Sequence, residues 1–243
     1  ALGSVPRSIS DPISSNEANI SGFLNMLISA RDSNIKNFIY ASSSSAYGDH
    51  ESLPKVEDVI GKPKNPYSIT KYVNELYANT FEEHYNFKSI GLRYFNVYGP
   101  RQRENGDYAA VIPKWIKNIL NKQDVEIYGD GKTSRDFCYI DNAVQANIIA
   151  ALSENEIAKG QVYNISVGDQ TSLNNLFSMI HNNIENVIGE NIKARPIYKD
   201  FRAGDIRHSR ADISKAKKLL NYLPSHNVEK GIKETVNWYI DNK

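Results

Sequence analysis

The chain has 243 residues, enough to bury a sizeable core as one large domain or two smaller ones. Its 29 basic and 28 acidic side chains leave a net charge of +1, which excludes a bulk field for nucleic acid or an anionic membrane surface. Apolar residues at 40% suit an ordinary soluble globular protein, no apolar run reaches bilayer length, and the single cysteine, Cys138, rules out an intramolecular disulfide or a cysteine zinc cluster. No signal peptide is read at this start, and a reducing cytoplasm is the expected compartment.

In chain order, ALGSVPRSISDP at residues 1–12 reads as loop and lacks an initiator Met. NISGFLNMLISAR, 19–31, places Phe23, Leu24, Leu27 and Ile28 at helical spacing. KNFIYAS, 36–42, reads as a buried parallel strand that runs into serines. The stretch 66–86 is a helix opened by Pro66, whose missing N–H costs nothing in a first turn. A strand follows at 88–99, a helix at 108–120 and a short strand at 124–131. Next come a helix at 140–152 with Asp141 as its expected N-cap, a strand at 161–168 and helices at 172–184, 213–224 and 228–240. Strands alternating with helices up to Gly168 predict βαβ units and a parallel sheet, with a smaller, mainly helical lobe after it. In such a sheet ligands collect at the carboxyl ends of the strands, where Ser42 to Ser45, Asn96 and the loop into Tyr67 stand.

Tyr67 and Lys71 lie four residues apart on the 66–86 helix, so they share a face with Cβ atoms about 5–6 Å apart. A free phenol is a poor base at neutral pH, and a nearby cation lowers its pKa. A serine hydroxyl at the neighbouring strand end can orient a substrate hydroxyl or relay its proton. The trio suits removal of a proton from a sugar alcohol while hydride leaves for a cofactor. Taken singly, Tyr-x-x-x-Lys describes many exposed helix faces and a serine run many flexible turns. The order of strand, serines and then Tyr-x-x-x-Lys carries the reading.

With ASSSSAYGDH, PYSITKYVNELYA, LRYFNVYGPRQ, YAAVIPKWI, YGDGKTSRDFCYI and FRAGDIRHS in this order, the chain resembles the extended short-chain dehydrogenase/reductase family, and within it the bacterial UDP-N-acetylglucosamine 4-epimerases. The resemblance implies a Rossmann-like doubly wound α/β fold with NAD as cofactor. Residues 1–100 and 136–168 would form the dinucleotide-binding domain, and 101–135 and 169–243 the UDP-sugar domain. It implies Tyr67 as catalytic base, Lys71 as the lysine that holds the nicotinamide ribose and lowers the tyrosine pKa, and Ser43 as catalytic serine. Leu2 and Phe95 or Val97 would line the cofactor by backbone or ring contact. Asn19 is either a cofactor-side asparagine or a helix cap. Ser4, Ser44 and Ser45 would stand near substrate. Asn96, Arg135 and Arg202 would take the UDP diphosphate, where arginine's planar fork suits phosphate oxygens. Arg135 and Arg202 have surface salt bridges as their other reading. Ala110 and Val111, with the backbone of Glu126, Ile127 and Tyr128, would floor the uridine, and Asp205 would bind its ribose. Ser209, if it is more than a surface serine, leaves room for an N-acetyl group where a tyrosine would fill the space. Arg207 and Arg210 match nothing and are expected to be solvated. No metal is implied.

The implied reaction has Tyr67 take the proton from the sugar 4-hydroxyl while hydride passes from C4 to NAD⁺, the 4-keto sugar then turning over on its diphosphate tether. The family's Gly-x-x-Gly-x-x-Gly turn is absent, which implies an N-terminally truncated enzyme whose 243 residues alone are inactive. A nucleotide-sugar 4,6-dehydratase would need an Asp-Glu pair where SSSSAYG stands. Reduction, decarboxylation and uronate epimerisation remain open, as does a non-catalytic nucleotide-sugar binder. Similar enzymes form homodimers through a four-helix bundle, here the 17–32 and 66–86 helices, with Leu76, Tyr77 and Phe81 serving that seam or the monomer core.

Overall fold

The computed structural model describes residues 1–103, 110–201 and 206–242. The chain opens with two short helices, α1 (Val5–Ser10) and α2 (Pro12–Asn16), then a π-helical turn Glu17–Ser21 and α3 (Gly22–Asp32). Strand β1 (Phe38–Ser43) runs into a 3₁₀ turn Ser44–Tyr47, followed by α4 (Pro66–Tyr85), β2 (Ser89–Tyr94), β3 (Val97–Tyr98) and α5 (Val111–Leu120). Then come β4 (Val125–Tyr128), β5 (Ser134–Arg135), β6 (Cys138–Tyr139), α6 (Ile140–Ala151), β7 (Val162–Ile165) and β8 (Thr171–Ser172). The last elements are α7 (Leu173–Ile188), β9 (Pro196–Lys199), α8 (Ser214–Leu220) and α9 (Val228–Asp241).

Two compact units divide these elements. The first comprises Ala1–Phe95, Ala143–Ile165 and Ala211–Leu223. Its centre is a parallel sheet in the order β1-β2-β7, with Ser42 beside Arg93 and Ser43 beside Tyr94. Helices α3 and α4 pack together through Leu27, Ala30, Phe81 and Phe87. Helix α4 is well specified at both ends. Asn65 accepts from the Ser68 N–H at 2.9 Å while the Ser68 hydroxyl accepts from the Asn65 N–H at 3.1 Å, a reciprocal capping box with Pro66 at the first helical position. Asn86 closes it in the left-handed region at φ 52°. After β1, Gly48 sits at φ +57°, where a Cβ would lie 2.0 Å from the Lys62 carbonyl oxygen, so the turn that follows the serines needs glycine.

The second unit comprises Asn96–Asn142, Ser166–Arg210 and Pro224–Lys243. Its core sets Ile112, Trp115, Ile116 and Ile119 of α5 with Leu176, Ile180 and Ile184 of α7 and Val228, Ile232, Val236 and Tyr239 of α9. These repeat every three or four residues, the stripe an amphipathic helix turns to a core. Parallel β4–β9 and β3–β6 and antiparallel β5–β8 complete it.

The α/β architecture with parallel strands is the expected one. Three local expectations change. The opening residues are helical, not loop: Ser4 caps α1 by accepting from the Arg7 N–H at 3.2 Å, and Asp11 caps α2 by accepting from the Ser14 N–H at 3.0 Å. The single strand expected over 88–99 breaks between β2 and β3, where Asn96 takes φ +34°. Asp141 lies inside the first turn of α6 rather than capping it. Among the described residues no helix is long and apolar enough to cross a membrane.

Candidate active site

Four-residue spacing on α4 turns Tyr67 and Lys71 towards β1, and the structure brings both to it. The Tyr67 phenol faces the Ser43 hydroxyl, close enough for that hydroxyl to favour the phenolate. The Lys71 ammonium donates to the Ala41 carbonyl at 2.8 Å. Ser43 also organises the serines after it: its Oγ accepts from the Ser45 N–H at 3.2 Å and from the Ser45 hydroxyl at 2.9 Å, which starts the 3₁₀ turn holding Ser44 and Ser45. The first turn of α4 is tied from outside as well. The Tyr67 N–H donates to the buried Ser8 hydroxyl at 3.0 Å, and Thr70 donates to the Tyr67 carbonyl at 2.8 Å.

The charges differ from the expectation. Burial pushes the Tyr67 phenol above its ordinary value, and the Ser43 hydroxyl only partly opposes this. Burial lowers the Lys71 ammonium, which is 4% exposed. In this protein on its own, therefore, Tyr67 is a protonated phenol at neutral pH. Lys71 has three N–H donors and spends one on Ala41. A buried ammonium with donors to spare fits the vicinal hydroxyls of a ribose, which is the fit that a nicotinamide nucleotide requires.

Asn19 is neither a helix cap nor a free ligand group. It is 1% exposed, its Oδ1 accepts from the Leu2 N–H at 2.6 Å, and its amide donates to the Leu2 carbonyl at 3.1 Å and the Thr70 hydroxyl at 3.0 Å. It ties Leu2 to α4, three residues from Tyr67, so its link to a cofactor runs through Leu2. Ser4, placed near substrate by the resemblance, is engaged as the α1 cap. Phe95 is fully enclosed, its ring 6.1 Å from Tyr47, which leaves its backbone, not its ring, for any ligand.

The residues expected on the nucleotide side belong to the second unit. Asn96 donates through its amide to the carbonyl of Asp136, the residue after Arg135, at 3.0 Å. The fully buried Asp136 carboxylate accepts from the Ser166 hydroxyl and from the Gly168 N–H at 3.1 Å, so the Arg135 segment is rigidly seated. Arg135 donates to the Ser134 carbonyl at 3.0 Å and the Arg207 carbonyl at 3.2 Å. The Ser209 N–H donates to the Ser134 carbonyl at 3.1 Å. Asn96, Arg135 and Ser209 thus converge on one neighbourhood. Val97 lies in β3, half-buried. Glu126 and Tyr128 flank Ile127 on β4, and the Ile127 side chain is sealed in the core, leaving its backbone available. Ala110 and Val111 start α5. Arg202 and Asp205 lie outside the described residues. Arg207, expected to be solvated, pairs with Asp130 at 3.1 Å and stacks over Phe201 at 4.7 Å.

Sequence reasoning missed the layer beneath. Glu75, one turn after Lys71, receives the Ser42 hydroxyl and both forks of Arg93. Its signal was an arginine inside the otherwise apolar strand SIGLRY.

Residues 1–166 match the NAD dependent epimerase/dehydratase family. The chain is 36% identical over 244 residues to a UDP-glucuronate 4-epimerase of Thermodesulfobacterium geofontis, covering 100% of this chain and 71% of that protein. Among solved structures it is similar to a UDP-N-acetylglucosamine 4-epimerase of Methanobrevibacter ruminantium in complex with UDP-N-acetylmuramic acid, at TM-score 0.91 and 40% identity over 100% of this chain and 75% of that one. It is likewise similar to a UDP-glucuronic acid 4-epimerase of Bacillus cereus in complex with UDP-glucuronic acid and NAD, at TM-score 0.86 and 28% identity over 100% and 73%. By this match and by its Rossmann-like α/β fold, the chain belongs to the NAD dependent epimerase/dehydratase family of enzymes.

Proposed function

We propose that the chain carries a UDP-sugar 4-epimerase whose pair is UDP-N-acetylglucosamine and UDP-N-acetylgalactosamine, with UDP-glucose and UDP-galactose as possible further substrates. The observation that carries it is the Tyr67 phenol facing the Ser43 hydroxyl, with Lys71 one helical turn on and its ammonium on the Ala41 carbonyl. Lys71, with the backbone of Leu2, would hold NAD, which when bound supplies the hydride acceptor. Tyr67 takes and returns the proton of the sugar 4-hydroxyl, Ser43 orients that hydroxyl, and burial keeps water from competing. Because Tyr67 is held protonated by its surroundings, it acts as a base only once positive charge is brought beside it. Arg135, Asn96 and Arg202 hold the diphosphate, Asp205 the ribose, and Ala110, Val111 and the backbone of Glu126 to Tyr128 the uracil. In this division of labour residues 1–100 and 136–168 serve the dinucleotide, and 101–135 and 169–243 the UDP-sugar. Ser209, a small residue tethered by its backbone, favours the acetylated sugars.

A homodimer through α3 and α4 accompanies this reading, supported by the exposed Met26, Ile69 and Leu76 on those helices, while Phe81 is consumed by the monomer core. A cytoplasmic site, where NAD and nucleotide sugars are held, accompanies it too.

The experiment is incubation with NAD⁺ and each of UDP-N-acetylglucosamine, UDP-glucose and UDP-glucuronate, with epimers resolved by chromatography. UDP-N-acetylglucosamine is expected to turn over fastest, and Tyr67→Phe to lose about 10²–10⁴-fold in kcat while UDP still binds. Turnover confined to UDP-glucuronate would move the assignment to uronate epimerisation. Turnover undiminished in Tyr67→Phe would end it. Epimer formation by these 243 residues would overturn the inactivity expected from the missing glycine-rich turn.

A further inference from the structure

Tyr67, Lys71 and Glu75 fall at i, i+4 and i+8 on α4, one stripe that rises about 6 Å per step. Each meets β1. Tyr67 meets Ser43, Lys71 meets the Ala41 carbonyl, and Glu75 meets the Ser42 hydroxyl. The third rung differs in kind. Glu75 and Arg93 are 3% and 2% exposed, and they form a two-pronged bond, Arg93 Nε to Oε1 at 2.8 Å and a terminal nitrogen to Oε2 at 2.6 Å. The other terminal nitrogen of Arg93 donates to the Glu57 carbonyl at 2.9 Å, and the guanidinium lies 4.8 Å from the Tyr47 ring centre. Arg93 sits on β2 directly beside Ser42 in the strand register, so a single carboxylate grips both strands.

A buried ion pair is weak evidence for net stability, because desolvation offsets the attraction, but its directional bonds can specify register. A slide of α4 by one residue, about 1.5 Å, would break both prongs, whereas an apolar contact would tolerate it. We propose that Glu75 and Arg93 are positioning residues: their bidentate bond fixes the rotation and sliding of α4 over β1 and β2 and so holds the Tyr67 phenol on the Ser43 hydroxyl. Neither touches the reacting atoms. The inference rests on the reading of Tyr67 as the group that moves the substrate proton.

The test uses three variants of the whole chain. Arg93→Lys keeps the charge and loses the fork. Glu75→Gln removes the charge. The double variant Glu75→Leu/Arg93→Met removes both charges and stays apolar. One readout is the pH titration of the Tyr67 ring in protein with ¹³Cζ-labelled tyrosine, assigned by Tyr67→Phe. The other is kcat and KM with a UDP-sugar and NAD⁺. The clamp predicts a displaced Tyr67 titration in Arg93→Lys and in the double variant. It predicts a kcat about 10–100-fold lower, with KM within about twofold, as expected when a reacting group is misplaced but binding is intact. A double variant with native near-ultraviolet circular dichroism and an unmoved Tyr67 titration overturns the clamp. So does loss of the whole fold in Arg93→Lys, which would make the pair a folding requirement rather than a positioning one. If the parent chain turns over no UDP-sugar, as the missing glycine-rich turn leads one to expect, the titration alone decides the clamp.

Discussion

Replacing Asn19 by alanine removes three hydrogen bonds at one stroke: those to the Leu2 N–H at 2.6 Å, the Leu2 carbonyl at 3.1 Å and the Thr70 hydroxyl at 3.0 Å. At about 0.5–1.5 kcal/mol net each, the loss is bounded at about 1.5–4.5 kcal/mol. Leu2 is half-buried and can recover water on one side, whereas Thr70 is buried and cannot, so the expected cost is about 2–3 kcal/mol. Asn19→Asp sharpens the test. Its carboxylate keeps the acceptor for the Leu2 N–H but faces the Leu2 carbonyl without a proton to donate. Its pKa in the fold must rise above the unfolded value. The stability it retains is therefore present at low pH and lost as pH rises through that raised pKa. Urea unfolding at pH 5 and pH 8, with amide exchange at Leu2, reads both variants. The alanine chain should unfold at lower urea at both pH values with the Leu2 amide unprotected, and the aspartate chain should fall behind it only at pH 8. An alanine variant within 0.5 kcal/mol of the parent would refute the tie between Leu2 and α4.

Two further outcomes follow from the geometry. Asn65→Ala removes the cap of α4 and should cost about 1 kcal/mol in urea unfolding, with a lowered kcat because Tyr67 sits in the first turn so released; an unchanged rate would separate that turn from catalysis. Burial raises the phenols of Tyr40, Tyr47 (pushed up to about 12), Tyr67 and Tyr98, so the folded chain holds protons that the unfolded chain sheds above pH 10. Their stabilisation is complete below pH 10 and lost as pH rises through the folded values. At about 1.4 kcal/mol per group per pH unit, these four remove up to about 5–6 kcal/mol per unit, against the opposing gains from Lys55 and Lys71. Urea midpoints measured from pH 8 to 11 should collapse past pH 10, and a flat profile would contradict the burial of these rings.

The parts of the site that sequence made legible are those with local causes. Asn65-Pro66 announces a helix start, and the four-residue step from Tyr67 to Lys71 fixes which face they share. Ser43 is singled out by the resemblance, counted back from Tyr47-Gly48. The parts that escaped depend on longer or weaker signals. Helices α1 and α2 have six and five residues, too short for apolar periodicity, and only their Ser4 and Asp11 caps with nearby prolines betray them. Strands β3, β5, β6 and β8 have two residues each, below any pattern of alternation. Glu75 and Arg93 stand 18 positions apart, and nothing local says they meet. The lowered phenol pKa was expected from Lys71 or from an oxidised nicotinamide ring. The Ala41 carbonyl, invisible in sequence, draws that ammonium to the strand instead.

The peptide passes between the two compact units five times, at 95/96, 142/143, 165/166, 210/211 and 223/224. Each unit is therefore stitched from three separated stretches, and neither can be cut out as one uninterrupted fragment. On the ribosome the unit that carries Tyr67 and Ser43 waits for Ala211–Leu223, translated well over a hundred residues after the tyrosine itself. Such distant closures are slow. A nascent chain stalled before Ala211 would leave β7 without α8 packed against it, the kind of exposed intermediate that chaperones retain.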